Sequence, residues 1–157
     1  MVRAKNIVTS VKVEIDAPSA LVWQVLTDLP KYHEWNPFTV RVESALQLND
    51  VVKLYIPDPS KPGSEIEVVE HLIAFEPCRL LSWEQRPTEN SSDAARRDQY
   101  VEAIDDTRCS YQTTDVFLGL TADKVMETFG SWVKEGLDGV AVSLKARAES
   151  LYADAIH

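Results

Sequence analysis

Two carboxylates and one phenol are the side chains of this sequence whose types and positions fit proton-transfer chemistry. Glu70, Tyr111 and Asp115 each lie in a segment of alternating polarity, on the same face as its apolar residues. A carboxylate in an apolar, water-poor cavity has a raised pKa, which suits a general acid or base. A phenol donates a hydrogen bond that stabilises an enolate-like oxyanion. We interpret Asp115, Tyr111 and Glu70 as candidate catalytic residues for a cofactor-free aldol cyclisation, dehydration or isomerisation.

The same carboxylates also have a structural interpretation. An inward acidic side chain can pair with Arg86 or Arg97 at the end of a sheet, or it can point to solvent. The assignment of faces rests on a side-chain period of two, and a single bulge would turn the following residues to the other face. The catalytic interpretation therefore depends on the register of the strands.

Segments of alternating polarity predict the strands that would position these residues. These segments are 7–16, 38–48, 51–57, 65–76, 79–86, 99–104 and 109–118, and turn residues separate most of them. The polar stretch 87–95 between two of them is predicted to be an exposed loop. Because the connections have the length of hairpin turns, we expect one antiparallel sheet of six to seven strands.

Helical periodicity occurs at two places in the chain. Apolar residues at helical spacing follow Pro18 up to Thr27, and residues 31–38 indicate a second helical turn or a rim loop. After Gly119, apolar residues recur every three or four positions from Ala122 to Leu151, which predicts an amphipathic helix about 50 Å long.

A curved sheet around such a helix leaves a cavity, which is a common ligand site. No linker divides residues 1–157, so we expect a single domain.

The faces of these elements predict which residues line that cavity. The candidate ligand-binding residues are Trp35, Phe38, Trp83, Gln85, Gln99, Val101, Thr113, Phe117, Met126, Phe129, Val133 and Leu137. The W-N-P-F segment formed by residues 35–38 has two interpretations: it lines the entrance of the cavity, or it fixes the turn between helix and sheet.

Composition excludes several other classes of function. The 25 acidic side chains outnumber the 16 Lys and Arg, and the formal charge of −9 disfavours nucleic acid and anionic membranes as partners. The three histidines have no ligand spacing, so no metal site and no cofactor are expected. Two cysteines, no apolar leader and no long apolar run predict a cytoplasmic protein without membrane insertion. We expect a monomer or homodimer that binds a small hydrophobic molecule.

Several segments resemble one protein superfamily. The stretch V-E-I-D-A-P-S-A-L-V-W-Q-V-L-T-D, followed by Y-H-E-W-N-P-F, resembles the start of the SRPBCC (START-like) superfamily of helix-grip proteins. Within that superfamily, the polyketide cyclase/dehydrase-like branch is the most similar. Glu76-Pro77 with Leu81 and Trp83 resemble its next strand pair, and D-V-F-L-G at 115–119 resembles the segment before its last helix.

The resemblance covers essentially the whole chain and implies an α+β helix-grip fold, in which a curved antiparallel sheet wraps around a long C-terminal helix. It is much less specific for activity, because the superfamily holds cyclases and dehydratases as well as lipid carriers. The family often carries histidine at the positions that match Gln99 and Thr113, so imidazole chemistry is not expected here. Two hypotheses follow: a cyclase, dehydratase or isomerase acting on a polyketide-like carbonyl compound, or a non-catalytic carrier or sensor of a lipid, sterol or polyketide.

Overall fold

The alternating segments form an antiparallel sheet of eight strands in the computed structural model, which describes residues 6–157. The strands are β1 Ile7–Thr9, β2 Val13–Ile15, β3 Arg41–Glu43, β4 Val51–Pro57, β5 Glu65–Glu76, β6 Leu80–Gln85, β7 Ala94–Ala103 and β8 Cys109–Leu118. Their order is β1-β8-β7-β6-β5-β4-β3, and β2 also pairs with β8. The predicted antiparallel sheet is confirmed, with one strand more than expected.

Three helical segments follow β1 in the described part of the chain. Helix α1 spans Ser19–Thr27, a 3-10 helix spans Leu29–Glu34, and helix α2 spans Ala122–Ala155 without interruption over 34 residues. Pro18 precedes α1, where its missing N–H is not needed. Gly119 has a φ of 76° and separates β8 from α2, a conformation that glycine adopts without strain. The predicted helix-grip α+β fold, with two short helices and a long C-terminal helix, is confirmed.

Three strand boundaries differ from the prediction. Residues 7–16 form two short strands, because the strand pairing is interrupted at Ser10. The backbone N–H of Ser10 donates to the Thr113 carbonyl oxygen, and the Ser10 hydroxyl accepts from the Thr113 backbone N–H. Only Arg41–Glu43 of the segment 38–48 is a strand. Strand β7 begins at Ala94 instead of 99, so the predicted loop ends earlier. The start of β7 was not predicted, because residues 96–98 are all charged and do not show the alternation of apolar and polar residues that indicates a strand.

Helix α2 covers only part of the sheet. It packs against β8, β2, β1 and α1. Its C-terminal half is fully buried along one stripe, formed by Val140, Ala141, Leu144 and Ala148. Its N-terminal half packs on a second cluster that includes Val8, Ala95 and Phe117. The opposite part of the sheet, β4 and β5, is left partly uncovered, and a cavity lies there.

Candidate ligand-binding and active site

An inner cavity of about 140 Å³ lies between α2 and the strands β4 to β8. Four neighbouring strands, β5 to β8, each contribute one of its polar side chains, and the loops before β3 and β7 contribute the other two. The polar and charged lining residues are Thr39, Glu70, Gln85, Asp93, Arg97 and Asp115. The apolar lining residues are Phe38, Leu54, Ile56, Val68, Trp83, Ala94, Ala95, Phe117, Val125, Trp132 and Val133.

An outer hollow of about 430 Å³ adjoins this inner cavity. The two spaces share seven lining residues: Ile56, Val68, Gln85, Asp93, Val125, Trp132 and Val133. Toward solvent, the hollow is bounded by Ile66 and Val69 of β5 and by Phe129 of α2, all partly exposed. Phe129, Trp132 and Phe38 form successive edge-to-face contacts, with centroid distances of 6.2 and 5.2 Å. The site is therefore a small polar chamber behind a larger apolar entrance.

The two predicted carboxylates meet in the inner cavity. Burial raises the pKa of Glu70 to about 8, and the negative charge of Asp115 adds to this effect while Arg97 opposes it. Burial also raises the pKa of Asp115 to about 6, against the lowering influence of the Arg97 charge. At neutral pH, Glu70 is thus mainly protonated and Asp115 mainly ionised. Two carboxyls whose environments set their pKa values apart can serve as an acid and a base.

Arg97 is the cation of this site. It is 6% exposed and lies directly between Trp83 of β6 and Asp115 of β8 in the pairing of the strands. Its Nε donates to Thr113 Oγ1 at 3.1 Å, and its Nη2 donates to Gln99 Oε1 at 3.5 Å. Burial raises the pKa of Tyr111, whose hydroxyl donates to the same Gln99 oxygen at 2.7 Å. Gln99, Thr113 and Tyr111 thus form a layer behind the cavity that contacts Arg97.

Most of the predicted site residues lie in or beside this cavity. Seven line the inner cavity: Phe38, Glu70, Trp83, Gln85, Asp115, Phe117 and Val133. Phe129 lines the outer hollow. Leu137 is fully buried in the apolar cluster that includes Ala95 and Phe117. Met126 is half-buried and packs against that cluster. Val101 lies deeper in the core, opposite Tyr111.

Besides Leu137 and Met126, five predicted residues do not line the cavity: Gln99, Val101 and Thr113 lie behind it, and Tyr111 and Trp35 have other contacts. Tyr111 does not line the cavity, and its hydroxyl is bonded to Gln99 instead of facing the open space. Trp35 lies at a separate hollow of about 280 Å³ between α1, the 3-10 helix and the end of α2, where it stacks edge-on against Tyr32. Asn36 accepts from the backbone N–H groups of Phe38 and Thr39, which fixes the turn that leads into the sheet.

Two residues of the site were not predicted to line the cavity. Arg97 was predicted only as a possible ion-pair partner of an inward carboxylate, because the strand was predicted to begin at 99, although Arg97 is on the same face as Gln99. Trp132 lines both the inner cavity and the outer hollow from α2. It follows Phe129 by three positions, so the edge of the apolar stripe carried the signal.

Two further properties concern the described part of the chain. Within residues 6–157, no cluster of three or more His, Cys, Asp or Glu side chains is placed to hold a metal ion. Among the same residues, no helix has the length and apolar character to cross a bilayer.

Comparison with known proteins finds one matching family. Residues 6–149 match the sequence profile of the family described as polyketide cyclase / dehydrase and lipid transport. No curated protein sequence matches this chain.

Several solved structures share the fold. The aromatase/cyclase Zhui from Streptomyces sp. R1128 superposes with a TM-score of 0.72 and 22% identity, over 91% of this chain and 93% of that chain. A START superfamily protein from Mycobacterium smegmatis gives 0.67 and 14% identity, over 92% and 98%. The di-domain ARO/CYC StfQ from the steffimycin biosynthetic pathway gives 0.68 and 13% identity, over 88% of this chain and 44% of that chain. At these identities the similarity establishes the helix-grip fold.

Proposed function

The chain belongs to the polyketide cyclase / dehydrase and lipid transport family, and from this premise we propose that it is a cofactor-free cyclase, dehydratase or isomerase. Its substrate is a small hydrophobic, carbonyl-containing molecule of polyketide type, bound in the cavity beneath α2. Structural similarity to aromatase/cyclases supports this choice of substrate class. The residues of the inner cavity, taken by themselves, support acid–base chemistry.

One observation carries the proposal: two carboxyls with pKa values on either side of neutrality face one cavity together with a buried guanidinium. The pKa of Asp115 is about 6 and that of Glu70 about 8, so near pH 7 the first is a base and the second an acid. Arg97 supplies a fixed positive charge in the same space. A preorganised cation in a water-poor site stabilises a developing oxyanion.

These three groups can carry out every proton transfer of a dehydration. The Asp115 carboxylate removes the proton α to the carbonyl, and the electron pair moves onto the carbonyl oxygen, which Arg97 stabilises as an enolate. The carbonyl re-forms as the bond to the β-hydroxyl breaks, and Glu70 protonates the departing oxygen to give water. Return of the proton from Asp115 to Glu70 restores the starting state. An aldol cyclisation uses the same groups, with Glu70 protonating the new alkoxide.

The shape of the site restricts how such a substrate binds. An inner cavity of about 140 Å³ is smaller than the roughly 300–1,000 Å³ of common ligand pockets. The reacting carbonyl therefore enters the inner cavity, and the remaining apolar body occupies the outer hollow between Phe129 and Ile66. The edge-to-face series Phe38, Trp132 and Phe129 suits flat apolar molecules.

We propose that the protein acts in the cytoplasm as a monomer or homodimer, without nucleic acid as a partner. Its formal charge of −9 opposes binding to phosphate backbones. Cys78 and Cys109 are both free thiols, which suits a reducing compartment.

Native mass spectrometry against a panel of aromatic polyketides, terpenoids and fatty acids tests this function. If the ligand recovered from the protein has lost one water, or has been cyclised or isomerised, the protein is an enzyme and the ligand identifies its substrate class. With that substrate, the rate rises with pH as Asp115 ionises near 6 and falls as Glu70 loses its proton near 8.

We expect Asp115→Asn to abolish turnover and leave binding largely intact. Glu102→Gln, an exposed carboxylate of β7 that lines neither space, is the control and retains activity. Full activity of Asp115→Asn would overturn the proposal.

A carrier or sensor is the second candidate, and one contact favours it. The hydroxyl of Tyr111 is engaged with Gln99, so it is not free to bind a substrate carbonyl. A carrier needs only the cavity and the apolar entrance. A ligand that binds and is recovered unchanged, with the same affinity in Asp115→Asn, identifies this function.

A further inference from the structure

Arg97 and Asp115 are direct cross-strand partners in β7 and β8. Side chains in this relation on one face have Cβ atoms about 5 Å apart, and opposite charges there normally attract. Yet the two groups form no ion pair within 4.0 Å. Other contacts therefore keep the guanidinium from its cross-strand partner.

The neighbouring contacts identify what does so. The Nε of Arg97 donates to Thr113 Oγ1 at 3.1 Å, and Nη2 donates to Gln99 Oε1 at 3.5 Å. Thr113 donates its own proton to the backbone oxygen of Asp98 at 2.8 Å, so its lone pairs are left for Arg97. Tyr111 donates to Gln99 Oε1 at 2.7 Å, which fixes that oxygen in place.

We propose that Thr113 and Gln99, the latter steadied by Tyr111, are positioning residues that hold the guanidinium of Arg97 away from the carboxylate of Asp115, so that both stay available to a ligand. This inference rests on the proposed function, in which the two groups are the oxyanion donor and the base. A direct ion pair would occupy both groups at once. It would also lower the pKa of Asp115 by about 1–3 units and remove its basicity near neutral pH.

Other charged and titratable groups surround this pair. They are Glu70 from β5, Asp98 on the other face of β7, Asp93 from the loop before β7, Tyr111 from β8 and Tyr32 from the 3-10 helix. From α2, the cavity receives the apolar residues Val125, Trp132 and Val133. Among the described residues that line the cavity, Arg97 is the one cation, so its position decides which carboxylate is stabilised.

Carboxyl carbon NMR titration of the ligand-free protein, labelled at its aspartate side chains, tests this assignment. Asp115→Asn identifies the signal of Asp115. In the double variant Thr113→Val with Gln99→Leu, both acceptors are lost with little change of volume. We expect the pKa of Asp115 to fall by at least about one unit, as for an aspartate beside a guanidinium. Thr113→Ser keeps the hydroxyl and is expected to retain the wild-type value.

Thr114→Val is the matched control, because it removes a hydroxyl from the same strand on the opposite face. It leaves the pKa of Asp115 unchanged. If the double variant does not fold, Thr113→Val alone is expected to lower the pKa in the same direction by a smaller amount. An unchanged pKa in the folded variant that lacks the acceptor overturns the positioning role.

The readout separates this inference from the proposed function. A lowered pKa in the variants of a protein that turns over nothing upholds the positioning role and refutes the enzyme. An unchanged pKa together with turnover that depends on Asp115 upholds the enzyme and refutes the positioning role.

Discussion

The two halves of helix α2 have the same apolar periodicity but different surroundings. In the packed half, defined by Val140, Ala141, Leu144 and Ala148, the inward stripe is completely buried. In the open half, defined by residues 125–133, Phe129 is 45% exposed and its neighbours line the cavity and the outer hollow. Side-chain size separates the halves: two alanines allow close approach in the packed half, whereas Phe129 and Trp132 occupy the open half. Amphipathic spacing therefore identifies the buried face of a helix without showing whether that face meets a core or a cavity.

The largest difference between the halves is expected in stability. Leu144→Ala removes a fully buried side chain from the packed half, and we expect the free energy of unfolding to fall by about 3 kcal/mol. Val133→Ala in the open half borders existing empty space and is expected to cost about 1 kcal/mol. Urea unfolding followed by circular dichroism measures both. Equal losses would contradict the distinction between the halves.

A second expected effect belongs to the carboxylate under the open half. The pKa of Glu70 is raised to about 8, so between its unfolded value of 4.5 and 8 the folded protein holds an extra proton. Stability from this group is therefore lost as pH rises through that range. At pH 9 the ionised Glu70 destabilises the fold, and Glu70→Gln removes this cost. Because solvent that enters the cavity screens the charge, we expect the variant to raise the free energy of unfolding by on the order of 2 kcal/mol, less than the full pKa shift would give.

Measurement of unfolding at pH 4 and pH 9 checks this sign. Near pH 4, both forms of residue 70 are uncharged and the gain disappears. Exposed Glu67→Gln serves as the control, and its effect stays within about 0.5 kcal/mol at either pH. A gain of equal size at both pH values would rule out titration of Glu70 as the cause.

The smallest effects are expected at two glycines where the halves meet. A Cβ on Gly136 would overlap Cδ1 of Phe38, whereas a Cβ on Gly139 would lie 3.4 Å from Cγ of Pro37. Overpacking costs about 1–3 kcal/mol and alanine gains about 1 kcal/mol over glycine in a helix. We expect Gly136→Ala to destabilise by about 1 kcal/mol and Gly139→Ala to stabilise by up to about 1 kcal/mol. Thermal unfolding of the two variants shows opposite shifts, and shifts of the same sign would refute the contact with Phe38.

The elements of the fold were largely predictable from local pattern. The bounds of β4, β5 and β8 agree with the alternating segments, because turn residues mark where these strands begin and end. The prediction was wrong at the start of β7, where Arg96, Arg97 and Asp98 interrupt the pattern. A charged residue inside a cavity looks like a surface residue in the sequence.

The sequence predicted which side chains of the candidate site lie on the inner face of the sheet, but not which atoms those side chains contact. The period of two placed Glu70 and Asp115 on the inner face, and both line the cavity. The same reasoning could not tell that Tyr111 bonds to Gln99, nor that Trp35 lies at another hollow. Both outcomes depend on partners from strands or helices that are distant in the chain.

By itself, the sequence determined an acidic chain with an antiparallel sheet, two short helices and a long amphipathic helix, since these follow from charge and from periodicity within each segment. Only the tertiary structure decided that one half of α2 meets a core and the other a cavity, and that Arg97 contacts Thr113 and Gln99 instead of Asp115. The physical reason is that periodicity fixes the direction of a side chain relative to its own strand or helix. Distances between side chains on different elements are set by how those elements pack together.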